Sequence, residues 1–230
     1  MNRKALTWLR RGVLTGFLTI FSFGCGPSLL WFLNRGDEYK DPAVGYKFAP
    51  TEGKKAVTVA VIVSAPNHIL TNPAMQGVDR DLESKIGSKI SELSKIPKDS
   101  VITIVDSSKV DRMRQENPQL WNTASMSEIA KSLGADYVLD VTLSSLYFYD
   151  QQTGREICRG NATLSVSVYD AIGNGKPLTQ YGHSSDAPLR DTSSLPVHLY
   201  RNTYLDRLAT EIAFKHVKHK AEQERELTKQ

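Results

Sequence analysis

Acidic residues are missing from the first 25 positions of the chain, where the charged side chains are Arg3, Lys4, Arg10 and Arg11. The whole sequence has 29 Lys and Arg against 25 Asp and Glu, so removing these four basic residues leaves 25 of each sign. The net charge of +4 therefore belongs to the N-terminal segment. Because the rest of the chain has no excess of basic charge, we expect no nucleic-acid partner.

Recognisable catalytic motifs are also missing. Residues 173–177 (Gly-Asn-Gly-Lys-Pro) lack the four residues between glycines, and the Ser or Thr after the lysine, that a phosphate-binding loop requires. Their turn chemistry predicts a hairpin instead. The sequence contains no Gly-x-Ser-x-Gly elbow, and Ser184, Ser185 and Asp186 beside His183 are predicted to lie in a polar surface loop. We therefore predict no catalytic residue, no cofactor and no enzymatic activity.

The histidines do not form an evident metal site. His216 and His219 are one helical turn apart, a spacing that can chelate zinc, but no third ligand stands beside them as a zinc site requires. Basic side chains at a helix C-terminus interact favourably with the helix dipole. The sequence therefore predicts an exposed basic helix end at these two residues and no metal ion.

A long apolar run follows the basic residues, from Gly12 to Phe23, and ends at Gly24 and Cys25. Basic residues, an apolar run and a small residue before the cut are the anatomy of an export signal. Residues 22–25 (Ser-Phe-Gly-Cys) resemble a bacterial lipobox, which implies cleavage after Gly24 and attachment of a diacylglyceryl group carrying palmitate to Cys25. The second cysteine, Cys158, then has no disulfide partner, and we expect a small, half-buried strand residue.

An uncleaved membrane helix is the second interpretation of this segment. The apolar run continues to Leu33, so residues 12–33 form a stretch of 22 residues, and about 20 apolar residues span a bilayer. A plain cleaved signal is the third. Because the early charges are all basic, each interpretation keeps the N-terminus in the cytoplasm and places the folded part on the periplasmic side of the cell envelope.

Composition divides the remainder of the chain. Residues 34–55 are polar, rich in Gly and Pro, and without periodicity, so they are predicted to be a linker. Residues 56–218 suffice for one domain with a core, but not for two. Residues 219–230 are charged and show no apolar face, which predicts a frayed helical tail.

The domain is predicted to be α/β (α+β-like): a mixed sheet of about five strands with helices packed on it, in the order β-α-β-α-β-β-β-α. Residues 56–63 predict a strand covered on both faces, and residues 101–105 a second buried strand. Residues 158–170 alternate apolar and polar side chains, which indicates one solvated face. Two helices are expected to bury regularly spaced apolar residues: Val78, Leu82, Ile86, Ile90 and Leu93 in one, Leu199, Leu205, Leu208, Ile212 and Phe214 in the other.

A helix-to-strand corner carries a family resemblance. Ser125 and Glu128 form a capping box for a short helix that stops at Gly134. Residues 130–139 (Ala-Lys-Ser-Leu-Gly-Ala-Asp-Tyr-Val-Leu) then enter a strand. This corner, with the buried first strand, resembles the bacterial envelope lipoprotein superfamily that includes the curli-secretion lipoprotein, the penicillin-binding-protein activator lipoproteins and the N-terminal domain of the Tol-Pal periplasmic protein. The resemblance covers about residues 56–215 and gives Gly134 and Tyr137 structural roles.

The resemblance implies a non-enzymatic, membrane-anchored adaptor or activator that binds another envelope protein. A subunit of an oligomeric secretion assembly, and hence a homo-oligomer, is the second hypothesis. The short connection of residues 150–154 leaves little room for the membrane-inserting hairpins that such a pore needs. An envelope hydrolase is the third, and no nucleophile-and-base pair supports it.

Three consecutive aromatic residues, Tyr147, Phe148 and Tyr149, precede the predicted hairpin tip. Successive strand side chains point to opposite faces, so the three cannot all point inward. At least one is therefore exposed or covered by another part of the chain, for which the loop of residues 186–196 is the candidate. If it is exposed, these aromatic residues form a partner-binding edge.

Overall fold

The computed structural model describes residues 38–44, 48, 56–95, 101–149, 158–187 and 197–229. Gly24, Cys25 and the candidate membrane helix of residues 12–33 lie outside the described residues. Within the described ranges, none of the helices has the length and apolar character needed to cross a bilayer. Residues Tyr39–Gln230 form one compact unit, to which the following description applies.

Seven strands and seven helices are described in this unit, with a short 3₁₀ turn at Pro73–Met75. The strands are β1 (Tyr39–Lys40), β2 (Ala56–Ser64), β3 (Val101–Ile104), β4 (Tyr137–Tyr149), β5 (Cys158–Asp170), β6 (Thr179–Ala187) and β7 (His219–Lys220). The helices are α1 (Asn67–Leu70), α2 (Val78–Ser94), α3 (Ser107–Glu116), α4 (Pro118–Thr123), α5 (Met126–Leu133), α6 (Val197–His216) and α7 (Ala221–Lys229).

The main sheet has five strands in the order β3-β2-β4-β5-β6. Strand β2 is parallel to both β3 and β4, whereas β4, β5 and β6 form an antiparallel meander. The predicted α/β fold with a mixed five-stranded sheet is therefore confirmed. The apolar run of β2 fits its central position, because a strand flanked by parallel neighbours is covered on both faces.

Helices α2 and α6 cover one face of the sheet and bury the larger core. All five apolar residues predicted for α2 are buried, as the helical period requires. In α6 the prediction is confirmed for four of the five residues. The predicted burial of Leu199 is wrong, because this residue lies in the first turn and is 47% exposed. The core on this face continues under β4 and β5 through Phe148 and Leu164.

Helices α3 and α5 cover part of the other face, over Ala60, Ile62 and Val138. Helix α5 begins with the predicted capping box, in which the Ser125 Oγ accepts from the Glu128 N–H at 3.3 Å and the Glu128 carboxylate accepts from the Ser125 N–H at 2.7 Å. It ends at Gly134, whose φ of 68° is left-handed. The local signals of the corner are thus present as predicted.

Residues 101–104 form the predicted second strand, but its burial and the end of the last strand differ from the predictions. Strand β3 is an edge strand, and Val101 is 60% exposed there instead of buried. Strand β6 reaches Ala187, so His183 and Asp186 lie in a strand and not in a loop. In both cases the difference depends on the position in the sheet. Among the described strands, β3 pairs with β2 alone and so lies at an edge, and β6 extends to Ala187 because β5 pairs with it along this length.

Both ends of the described unit meet in a second, two-stranded sheet. Tyr39 pairs with Lys220 and Lys40 with His219, in antiparallel register. Helix α7 follows directly, with Ala221 buried and Leu227 packed against the core. The division into linker, domain and tail stays a prediction; the four paired residues come from the predicted linker and the predicted tail.

Gly160 lies where strand β5 passes closest to helix α6. A Cβ atom added there would overlap the ring of Tyr204, which is fully buried. We expect Gly160→Ala to lower the free energy of unfolding by about 1–3 kcal/mol, the usual cost of overpacking a core. Urea denaturation measures this change. The matched control is Gly182→Ala on β6, where an added Cβ meets nothing within 4 Å, and equal losses in both variants would contradict the packing argument.

Candidate functional site: the open face of the sheet

The candidate site is the part of the sheet that α3–α5 leave uncovered, over strands β4, β5 and β6. We call it the open face. Three rows of directly paired residues cross it: Thr142–Ser165–Gly182, Ser145–Thr163–Ser184 and Tyr147–Asn161–Asp186. Its exposed side chains are Thr142, Tyr147, Asn161, Thr163, Ser184 and Asp186. The face is therefore polar, with one exposed aromatic residue at its end.

The three predicted aromatic residues do not share one face, and a register shift in the β4–β5 pairing lies between Tyr147 and Tyr149. Tyr147 is 44% exposed on the open face and lies opposite Asn161. Phe148 is fully buried and contacts Tyr204 edge-on, with ring centroids 6.1 Å apart. Tyr149 is partly buried against the same core. The structure thus places Tyr147 alone of the three on the open face.

An ion pair lies in the same row as Tyr147. Arg159 donates to both oxygens of Asp186, at 2.9 and 2.7 Å. These hydrogen bonds hold the pKa of the Asp186 carboxyl below its usual range. Both side chains stay about half exposed, so the pair contributes little to stability. Its two-pronged geometry instead fixes a charged and planar group beside the exposed tyrosine.

Asp140 lies seven residues from Tyr147, where the open face meets the part covered by helices. At about 3.3 Å per residue, the two side chains are roughly 23 Å apart along β4. Asp140 pairs with Ile62 of β2 and Ser167 of β5. Burial raises the pKa of Asp140 to about 6, and nothing among the described residues offsets this effect. Sequence reasoning missed this residue.

The two C-terminal histidines are buried, so the prediction of an exposed helix end is wrong. His216 is 2% exposed and its Nε2 lies 2.9 Å from the Tyr181 hydroxyl. Burial lowers the pKa of His216 to about 4. His219 is 3% exposed and stacks on Phe214. Across the described ranges, no three His, Cys, Asp or Glu side chains are grouped closely enough to hold a metal ion.

A cleft of about 250 Å³ opens between α2 and the end of β3. Glu83 lines it, is 3% exposed, and accepts from the Val63 N–H at 3.2 Å. Burial raises the pKa of Glu83 to about 7, although this hydrogen bond and Arg114, 3.5 Å away, oppose the rise. Serines such as Ser84 and Ser107 line the same cleft. Within the described residues, the hydrogen bond that Glu83 accepts comes from the backbone of Val63 and not from one of these serines.

A cavity of about 530 Å³ lies beside strand β6, between this strand, α6, α7 and residues 40–43. We call it the edge cavity. His183, which the sequence assigned to a loop, lines it and hydrogen-bonds Glu211 of α6 at 3.0 Å. Burial acts to raise the pKa of Glu211, but hydrogen bonds from His183 and Arg207 outweigh it and hold the pKa below its usual range. The histidine is therefore tied into an ion-pair network.

The fold is similar to several solved structures at low sequence identity. The PelC dodecamer from Paraburkholderia phytofirmans is 12% identical, with a TM-score of 0.40, over 78% of this chain and 96% of that chain. Lipoprotein GNA1162 from Neisseria meningitidis is 14% identical, with a TM-score of 0.40, over 68% and 98%. Protein XCC0632 from Xanthomonas campestris is 12% identical, with a TM-score of 0.42, over 74% and 90%. No protein-family model and no curated protein sequence matches the chain. At these identities and scores, no function is transferred to this chain.

Proposed function

We propose that this chain is a non-enzymatic protein of the bacterial cell envelope that is tethered to a membrane and binds a partner protein through the open face. The observation that carries the proposal is Tyr147. It is a large aromatic side chain, 44% exposed on a sheet face that is otherwise polar. Tyrosine is enriched at protein interfaces because it combines apolar area with a hydroxyl and has few rotatable bonds.

The surroundings of Tyr147 support a protein partner. The Arg159–Asp186 pair beside it offers fixed hydrogen-bonding groups at the rim. Asp140, at the other end of the face, has a carboxyl that burial keeps hard to ionise, and a basic side chain of a partner would stabilise its charged form. An aromatic anchor with polar surroundings is the usual anatomy of an interface.

Self-assembly into a secretion oligomer is the alternative use of this face. Pairing of sheet edges is an unfavourable route to it. The hydroxyls of Tyr200 and Tyr204 donate to the carbonyls of Ala187 and Ser185 on edge strand β6, each at 3.0 Å. Carbonyls that already accept one hydrogen bond are weaker acceptors for another strand. These contacts disfavour pairing through β6, and we infer the open face as the surface for an oligomer as well.

Crosslinking in cells tests the proposed function and separates it from self-assembly. The full-length protein is crosslinked in its native host and the captured species are identified by mass spectrometry. We expect one dominant envelope protein other than this chain. A ladder of self-linked species would support the oligomer instead. Capture of neither would contradict the proposal of a protein-binding role and redirect attention to small-molecule binding.

We further propose that Cys25 carries the membrane tether, after cleavage behind Gly24. Replacing Cys25 by Ser should abolish incorporation of palmitate, because the thiol is the acceptor of the lipid, and should leave an unprocessed precursor. Metabolic labelling with radioactive palmitate, followed by membrane fractionation, measures both effects. If the Cys25→Ser variant is membrane-bound without change in mass relative to the native protein, residues 12–33 are an uncleaved membrane helix and the lipoprotein interpretation is contradicted.

We also propose that the chain belongs to the envelope lipoprotein superfamily that its sequence resembles. The corner at residues 130–139 encodes a helix end and a strand start, which is packing and not chemistry. Among the proteins named for the resemblance, the penicillin-binding-protein activator lipoproteins fit the proposed adaptor role, and we infer an enzyme of the envelope as the kind of partner. The crosslinking experiment identifies that partner directly.

A further inference from the structure

The edge cavity has the size of a small-molecule site. Its volume of about 530 Å³ lies within the range of about 300–1,000 Å³ that is typical of ligand pockets. Phe214 and Leu227 provide apolar walls, and residues of α7 and of the segment 40–43 line the rest of one side. At the roughly 30 Å³ that a water molecule occupies, this volume corresponds to about 18 water molecules, so a ligand of six to ten heavy atoms has ample room.

The charges around the edge cavity are largely paired within the protein. Glu211 accepts from His183 and from Arg207, each at 3.0 Å. Glu224 accepts from Lys40 at 2.6 Å. A charged ligand would have to compete with these ion pairs, whereas an uncharged ligand would leave them intact. The cavity thus favours a neutral ligand.

Two buried polar atoms in the cavity wall have unused hydrogen-bonding capacity. His219 is 3% exposed and Ser185 is 4% exposed. Among the described residues, neither His219 Nε2 nor Ser185 Oγ has a partner within hydrogen-bond distance; each lies near a carboxylate, Glu224 and Glu211 respectively, and helps to lower its pKa. Leaving a buried polar group unsatisfied is unfavourable, so groups of this kind normally meet a ligand or a water molecule.

The position of the proton on His219 follows from its other nitrogen. Nδ1 lies 3.1 Å from the carbonyl oxygen of Val217, and a carbonyl accepts hydrogen bonds, so Nδ1 carries the hydrogen. In the neutral ring, Nε2 is then an acceptor. The Glu224 Oε2, another acceptor, lies 3.8 Å from Nε2, beyond hydrogen-bond distance. A hydroxyl placed between them can donate to one of the two acceptors, and a water molecule can donate to both.

We propose that the edge cavity binds a small, uncharged ligand that has hydroxyl groups and an apolar body. One hydroxyl donates to His219 Nε2 or Glu224, a second hydrogen-bonds Ser185, and the apolar body packs against Phe214 and Leu227. The stacking of Phe214 on His219, with ring centroids 4.0 Å apart, holds the imidazole in position. Ser184 and Asp186 of strand β6 line this cavity and also belong to the open face, but the residues proposed to contact the ligand are not among those of the open face.

Nuclear magnetic resonance of the full-length protein labelled with ¹⁵N-histidine tests the proposal. The protein is kept in phosphocholine micelles, because the hydroxyl groups of sugar detergents would compete with the probes. The probes are cis-1,2-cyclohexanediol, cyclohexanecarboxylate and cyclohexylamine, which share a ring and differ in head group. We expect the diol to shift the Nε2 resonance of His219. We expect His219→Phe, which keeps a ring beside Phe214 and removes the acceptor, to weaken binding of the diol about tenfold, measured by calorimetry.

The control is His198→Phe, since His198 is exposed at the start of α6 and its replacement should leave binding of the diol unchanged. If the carboxylate or the amine binds more strongly than the diol, the proposal of a neutral ligand is overturned. Lys215 in the cavity wall is the cation that would hold the carboxylate. A shift by none of the probes would show that the cavity holds water only and would overturn the site.

Discussion

Replacing Tyr147 by Ala should reduce capture of the partner protein at least about tenfold while leaving the thermal midpoint of the domain nearly unchanged. An exposed aromatic anchor contributes to binding when it enters a pocket of the partner, and truncating such an anchor typically costs about 2 kcal/mol or more of binding free energy. Its loss affects folding little, because the side chain is 44% exposed and lies outside the core.

The neighbouring Phe148 supplies the contrast. It is fully buried and packs against Tyr204, so Phe148→Ala should lower the free energy of unfolding by about 3–5 kcal/mol. Urea denaturation and crosslinking yield are measured on both variants. Ile172→Ala is the surface control, because Ile172 is 79% exposed in the turn between β5 and β6. Cooperative unfolding lost in Tyr147→Ala, with capture retained, would contradict the assignment of this residue to an interface.

Replacing Asp140 by Asn should stabilise the domain at pH 8 and change little at pH 4. Burial raises the pKa of Asp140 from 3.8 to about 6, so the folded state binds a proton more tightly than the unfolded state does. Stability contributed by the protonated form is present at low pH and is lost as the pH rises from about 4 to above 6. With about 1.4 kcal/mol per pKa unit, the gain in the variant at pH 8 is on the order of 2–3 kcal/mol.

Urea denaturation at the two pH values measures this difference. Asp106→Asn is the matched control, because Asp106 is an exposed helix cap whose carboxyl has a lowered pKa, held by hydrogen bonds from Ser108. Its replacement should not stabilise the domain at pH 8. If Asp140→Asn is destabilising at pH 8, the carboxylate has a compensating partner and the account of this residue is wrong. A gain in stability with weaker capture of the partner would show that function requires the buried charge.

Local signals in the sequence predicted the parts of the fold that depend on local physics. The capping box at Ser125, the left-handed Gly134 and the buried stripe of α2 follow from hydrogen bonding and helical period within a few residues. The burial of Leu205 and Leu208 follows in the same way. These features can be predicted without knowing which distant segments of the chain contact them.

Contacts between distant segments decided the parts that sequence reasoning missed. Strand β6 contains Ser184, Ser185 and Asp186, which have low strand propensity, and it forms because β5 offers a complete partner strand. His219 is buried because Lys40, far away in the chain, pairs with it. Such pairings leave no periodic signal in either segment alone.

The candidate site shows the same division. The alternation of strand side chains indicated that Tyr147, Phe148 and Tyr149 cannot share a face, and the structure puts Tyr147 on the open face. Asp140 could not be identified, because its burial comes from β2 and β5 on either side. Its raised pKa is a property of the assembled sheet and not of the sequence around it.

Site-directed photo-crosslinking from position 147 tests the central claim most directly. Tyr147 is replaced by p-benzoylphenylalanine in the full-length protein, and the cells are irradiated before the captured proteins are identified. The proposal predicts one envelope protein linked from position 147 and absent when the same group stands at exposed position 172. The same capture from both positions, or none from position 147, would contradict a partner-binding role for the open face.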